Sequence, residues 1–270
     1  MKISTSLLLL MVILPLLAAA AAEWIAPLDP VYQDRAAVSA APSRSHWLGT
    51  DDYGRDIWSR YLHGTRWSVS VGLGATGLVL LLGWTIGSLA GFRGGWTDRV
   101  LMQITELFLV IPWLYLLIAV RAVLPLNLPP RVAFGVLLTV IATTSWPRPA
   151  RLVRGVVLSL RRKEYVEAAL GFGVSQTTVY FRHVAPATYG LMATQALLLL
   201  PRFVLAEITL SYMGLGLGEP EPSWAILILP LKQVYALQQE WWRILPLLLI
   251  IPFFAGLTVL ARMLERKFSR

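Results

Sequence analysis

The sequence predicts an all-α, polytopic membrane protein of about six transmembrane helices, and three observations carry that prediction. Of its 270 residues, 56% are hydrophobic and only 14% charged, with a mean hydropathy of +0.63, far from a soluble domain. The apolar residues gather into runs near the ~20 needed to cross roughly 30 Å of hydrocarbon. One polar, arginine-rich stretch at 148–190 interrupts those runs and does not belong in a bilayer core. Cysteine is absent, which excludes disulfides, thiolate metal sites and thiol catalysis.

The first apolar run, 3–22, follows Lys2 and makes 1–22 a first transmembrane helix or a signal-like anchor. A basic start, a leucine core and an alanine-rich end also describe a secretory signal peptide. Residues 23–66 are polar and proline-punctuated, an extracytoplasmic segment in which Thr50 or Asp51 can cap a helix. Trp47, Trp58 and Trp67 suit a membrane interface, and 56–61 an amphipathic turn. The rest, 67–270, reads as a core of five helices. Its first span, 67–92, carries Gly83, Gly87 and Gly91 on one face for close helix packing. The next, 101–124, is kinked by Pro112, and Pro125, Pro129 and Pro130 make a hard turn after it. Short span 132–146 stops against Pro147 and Pro149. Spans 191–213 and 243–260 follow, and a basic tail closes the chain.

The polar stretch has its own local code. Tyr165, Ala168, Ala169 and Phe172 fall at i, i+3, i+4, i+7 on one helical face, with Lys163 and Glu167 as an i,i+4 pair on the other. Gly171 and Gly173 end that helix, Ser175 caps a second, and Pro186 stops it. A helix–turn–helix results, with an alanine-rich docking face that lets another backbone approach closely.

Glu167-Ala168-Ala169, three residues, Gly173, and twelve residues to Pro186 resemble the EAA loop of ABC-importer permeases. The wider segment resembles the oligopeptide, dipeptide and nickel branch, and within it the C-type, binding-protein-dependent inner-membrane subunit. That branch runs closer to RHILPN where this chain has Val184, Ala185 and Ala187. A second segment, SHWLGTDDYGRDIWSRYLHGTRWS, is similar to the family signature at Leu48, Gly49, Thr50, Asp51, Gly54, Arg55 and Asp56. A third, SYMGLGLGEPEPSW, is similar to the family's segment after the fifth span.

The resemblance implies a permease subunit of an ATP-driven importer, most simply for di- or oligopeptides or nickel, forming half of the pore. Tyr165, Glu167, Ala168, Ala169, Gly173 and Pro186 would couple it to cytoplasmic ABC ATPases. Its other partners would be a second homologous permease and an extracytoplasmic substrate-binding protein. The chain itself would bind no cofactor, since ATP and Mg would sit on the ATPase subunits. Glu207 matches a family glutamate and, with Arg202, is a candidate for the translocation path. Five residues apart on an ideal helix, the two project about 140° from each other.

Charge and motif content agree with that reading. With six spans and both termini cytoplasmic, the inside segments hold fourteen basic and four acidic residues, while the outside segments hold nine of each. Such a distribution selects that orientation and gives no one-sided basic face for nucleic acid, and the resemblance implies a multi-pass protein of the plasma (inner) membrane. There is no phosphate-binding G-x-x-x-x-G-K-[ST] loop, so an enzyme is not expected and no catalytic residue stands out. His46, His63 and His183 lack ligand spacing, so no metal site is expected. Two rival readings are an ion-coupled secondary transporter, with Glu106 and Glu207 as its membrane carboxylates, and a membrane assembly subunit without transport.

Overall fold

In the computed structural model the described residues are 5–123, 129–213, 221–232 and 238–268. Among them there is no strand, and one antiparallel bridge joins Thr50 to Asp56. The helices are α1 (Thr5–Ala20), α2 (Ile57–Arg93), α3 (Gly95–Val110), α4 (Trp113–Val123), α5 (Pro130–Ser145), α6 (Pro147–Arg161) and α7 (Glu164–Gly171). After them come α8 (Gln176–Val179), α9 (Ala185–Tyr212), α10 (Trp224–Ile228) and α11 (Leu245–Phe268). A π turn, Tyr180–Val184, joins α8 to α9. The Pro125 turn, residues 214–220 of the third family segment and the last two residues of the tail lie outside the described residues.

Three helical stretches are long and apolar enough to cross a bilayer: Ile57–Arg93, Gln176–Tyr212 and Trp241–Glu265. The apolar helices α1 and α5 have 16 residues each, about 24 Å at 1.5 Å per residue. Three boundaries differ from the sequence reading. The helix expected from residue 67 begins at Ile57, because Asp56 caps it: its Oδ2 accepts from the Ser59 N–H at 2.7 Å. The helix expected at 101–124 is broken rather than kinked. The Pro112 ring disfavours helix at the residue before it, and Ile111 is extended at φ −71°, ψ 116°. The fifth span starts earlier than residue 191, for a reason that lies at Pro186.

The chain divides into two compact units. The first comprises Met1–Leu73, Leu124–Leu137 and Leu200–Met263. Here α1 lies on α11 at Gly256, where an added Cβ would come within 2.9 Å of Val12 Cγ2 and 3.2 Å of the Leu8 carbonyl. Trp224 is its central side chain, edge-on to Phe253 and Phe254 at 5.5 and 5.9 Å. Two hydroxyls of α2 hold that residue: Thr65 accepts from the indole N–H at 2.8 Å and Ser68 from the backbone N–H at 3.1 Å. A buried indole needs such a partner, and here α2 supplies it.

The second unit comprises Gly74–Val123, Leu138–Leu199 and Leu264–Arg270, and α6 is its hub. Gly83, Gly87 and Gly91 of α2 all face α6. A Cβ on Gly83 would stand 2.7 Å from Pro149 Cβ, one on Gly87 would overlap the Ala150 carbonyl, and one on Gly91 would stand 2.9 Å from the Arg154 carbonyl. Backbone therefore meets backbone along two turns. On another side α3 grips α6. Asp98 takes both Nε and Nη2 of Arg154, the latter at 2.6 Å, Glu106 pairs with Arg151 at 3.3 Å, and Phe108 lies edge-on to Trp146. Val153 and Val157 of α6 are fully buried with Val184.

Candidate functional site

The polar stretch that includes α7 and α8 is built from local rules. Lys163 precedes α7 in extended backbone (φ −77°, ψ 138°), which takes it out of the helix; no ion pair with Glu167 forms, contrary to the i,i+4 expectation. Glu164 and Glu167 occupy the first turn, where acidic groups complement the exposed N–H groups of the helix end. At the other end the Gly173 N–H bonds the Leu170 carbonyl at 3.0 Å and the Val174 N–H the Ala169 carbonyl at 3.1 Å. That pair of bonds needs a left-handed residue, and Gly173 supplies it at φ +81°. Ser175 then caps α8, its Oγ accepting from the Thr178 N–H at 3.2 Å.

Val166 and Val179 are the fully buried residues of α7 and α8, and they root the helix–turn–helix in its unit. Tyr165, Glu167 and Ala168 are exposed, Ala169 is half-buried, and Phe172 is 89% exposed. The exposed face therefore carries one phenol, one phenyl ring and small residues, held on a capped turn. The Tyr165 ring lies 6.1 Å from that of His183.

Pro186 does not stop the second helix. Its ring would clash with the carbonyl four residues earlier in a regular α-helix. The π turn widens the helix here, and the Ala185 N–H bonds the Tyr180 carbonyl five residues back. Helical backbone then runs from Gln176 to Tyr212 without interruption. A proline alone gives no sign of such a turn, and the sequence reading ended the helix.

In the first unit, the signature residues are occupied with one another. Gly49 (φ +77°) and Gly54 (φ +75°) turn the chain, and a Cβ on Gly54 would overlap the Asp34 backbone. Asp51 Oδ1 accepts the N–H groups of Tyr53 and Arg55, both at 2.9 Å, and its Oδ2 accepts from Arg55 Nε at 2.8 Å. Arg60 Nε lies 3.6 Å from the same oxygen. Thr50 Oγ1 bonds the Ala37 carbonyl and accepts from the Ala40 N–H, and Leu48 is half-buried beside this turn. Neither Thr50 nor Asp51 caps α2; that place belongs to Asp56, which also holds His46 Nδ1 at 3.0 Å. Asp52 binds Arg243, and the guanidinium holds its carboxyl below the usual range. Arg154 does the same for Asp98. Sequence reasoning missed Asp98, Arg154, Arg243 and Trp224, whose partners are distant in the chain.

Of the path candidates, Glu207 is fully buried (0% exposed) and Arg202 is exposed, with no ion pair between them. Glu207 Oε1 accepts from Ser211 Oγ at 2.7 Å, its Oε2 is buried without a hydrogen bond, and Ser68 lies beside the carboxyl. Ser68 also accepts from the Trp224 backbone N–H, so Glu207 and Trp224 share that neighbour on α2.

Residues 83–270 match a family model described as binding-protein-dependent transport system inner membrane component. The chain is 39% identical over 183 residues to the oligopeptide transport system permease protein OppC of Bacillus subtilis, covering 68% of this chain and 58% of that protein. It is 34% identical over 208 residues to the glutathione transport system permease protein GsiD of Pectobacterium atrosepticum, covering 77% and 67%. With the dipeptide transport system permease protein DppC of Bacillus subtilis it shares 33% identity over 241 residues, covering 88% and 71%.

Proposed function

The chain belongs to the family of binding-protein-dependent transport system inner membrane components, and from that premise we propose that it is the permease half of an ATP-driven peptide importer. The observation that carries this reading is the capped helix–turn–helix, rooted by Val166 and Val179 and presenting Tyr165, Ala168 and Phe172 outward. In this reading both chain termini and α7 are cytoplasmic, and α7 docks in a cleft of an ABC ATPase. A second homologous permease completes the pore, and a substrate-binding protein delivers the peptide from outside.

Work enters at α7. Hydrolysis on the partner subunits moves α7 between two positions, and α6 follows, since two residues separate them. Packed helices pass between discrete arrangements rather than deforming continuously, which is the physical basis of alternating access. For the path, exposure of Arg202 supports contact with a peptide carboxylate. The burial of Glu207 among Ser211 and Ser68 supports an anchoring role for that side chain.

The test is reconstitution of the chain with its ATPases, partner permease and binding protein, comparing Glu167→Arg with wild type. A reversed charge in the first turn of α7 opposes the helix dipole and the docking surface alike. The variant should reach the membrane yet lose ATPase co-purification and uptake. Normal uptake by the variant would make the loop a linker, and ion-driven uptake by the chain without ATP would make it a secondary transporter.

A further inference from the structure

We propose that the chain binds an anionic phospholipid of the cytoplasmic leaflet in a groove along the end of α2. The inference rests on the orientation proposed above. The groove, about 340 Å³, is lined by Trp84, Ser88, Leu89, Phe92, Arg93 and Phe181 among others, all within the second unit. Positions 84, 88 and 92 repeat every four residues, so the lining follows one face of the helix. From Trp84 to Arg93 it runs about 14 Å at 1.5 Å per residue. One leaflet of hydrocarbon is roughly 15 Å thick, half of a 30 Å core. The groove therefore has the length of one leaflet.

Its chemistry changes along that length. Leu89 and Phe181 are exposed apolar side chains on its wall, and Trp84 is fixed in place by an N–H bond to Thr188 Oγ1 at 2.9 Å. Deep in the wall the Ser88 side chain is buried (4% exposed), with the Tyr180 phenol within reach of its hydroxyl. At the mouth stand two cations. Arg93 lines the groove, and Arg161 lies 6.0 Å over the Phe92 ring with Nη1 on the Arg93 carbonyl. Neither is ion-paired among the described residues. An amphiphile with an acyl chain and a phosphate matches this lining: chain along Trp84, Leu89 and Phe181, phosphate between the arginines. A zwitterionic lipid would lack the net charge that both arginines favour. A free phosphate would leave the apolar length unused.

The experiment uses the full chain in its complex, purified in nonionic detergent. Native mass spectrometry and thermal melting are compared with phosphatidylglycerol and phosphatidylcholine. Each arginine near the headgroups favours an anionic lipid by about fivefold, so the preference should be about 25-fold and should vanish in the double variant Arg93→Gln, Arg161→Gln. Leu89→Trp, which fills the groove and spares the charges, should lower binding of both lipids. Equal binding of the two lipids by wild type, or a preference that survives the double variant, overturns the proposal. The chain has no cysteine of its own, so Leu89→Cys gives one thiol in the groove; its cross-linking to the second permease would assign the groove to that partner and also overturn it. Trp96→Cys, exposed beside the mouth, separates the two levels of inference. Labelling of that thiol by an impermeant maleimide from outside intact cells would reverse the orientation, whereas labelling only after permeabilisation leaves the lipid result to stand alone.

Discussion

At Gly173 the handedness of the backbone can be changed with no side-chain collision. Its φ is +81°, and a Cβ placed there meets nothing within 4 Å. Any loss on substitution by alanine therefore comes from the left-handed conformation, about 1–2 kcal/mol. That is a factor of roughly 5–30 in the ratio of loops that hold the turn to loops that have lost it. A β-branched residue should do worse and asparagine better. Gly171, two residues earlier, is also open but helical, so Gly171→Ala should stabilise by about 0.4–1 kcal/mol. The assay is ATP-dependent dipeptide uptake into proteoliposomes at limiting ATPase, with ATP hydrolysis followed in parallel. We expect wild-type uptake for Gly171→Ala, a fall of up to about 30-fold for Gly173→Ala, and a larger fall for Gly173→Val. Full uptake by Gly173→Val would refute the reasoning, as would equal losses at the two glycines.

Gly87→Leu should lower stability in detergent by about 1–3 kcal/mol, because its Cβ overlaps the Ala150 carbonyl, whereas Gly77→Leu, with open space at its Cβ, should melt like wild type; equal melting of the two would remove the close approach of α2 and α6. Asp52 has a folded pKa below the ordinary ~3.9, so its share of stability is present above about pH 4 and is lost as the pH falls through the folded value. Asp52 is largely exposed, so that share is about 1 kcal/mol or less; Asp52→Asn should flatten the acid limb of the stability profile, and an unchanged limb would show that the Arg243 pair contributes nothing. Glu207→Gln should keep uptake and substrate preference, while Glu207→Leu, which strips the Ser211 hydroxyl of its acceptor, should destabilise by about 1–3 kcal/mol. A changed preference in Glu207→Gln would put that carboxyl on the path.

The parts legible in the sequence are those whose chemistry is local. Gly173 and Ser175 announce a turn and a cap because each acts on residues within five positions of itself. The glycine stripe of α2 was legible as a packing face, but α6 as its partner was not, since nothing in the sequence couples residue 87 to residue 150. Pro112 and Pro186 show why one residue type is read unevenly. At Pro112 the chain breaks at Ile111, and at Pro186 a π turn absorbs the same ring and the helix continues. The signature at 48–56 was found as a pattern, yet its cap fell to Asp56 rather than Thr50 or Asp51, which the Ala37, Ala40, Tyr53 and Arg55 backbones claim first.

The contact between α2 and α6 has a mechanical meaning. Where side chains interdigitate, a small push is absorbed by rotamers; where main chain rests on main chain at Gly83, Gly87 and Gly91, there is little to absorb it. The three glycines act as the notches of a rack, spaced about 6 Å apart at 1.5 Å per residue. With Asp98 clasping Arg154 on another side, α6 is held in mesh, and only Arg162 and Lys163 separate it from α7. Strokes shorter than one notch should pass to α2 with almost no backlash, and a longer stroke would have to jump a tooth. A larger residue at a notch should therefore act as a worn gear, one that parts α6 from α2 and lets a displacement of α6 slip.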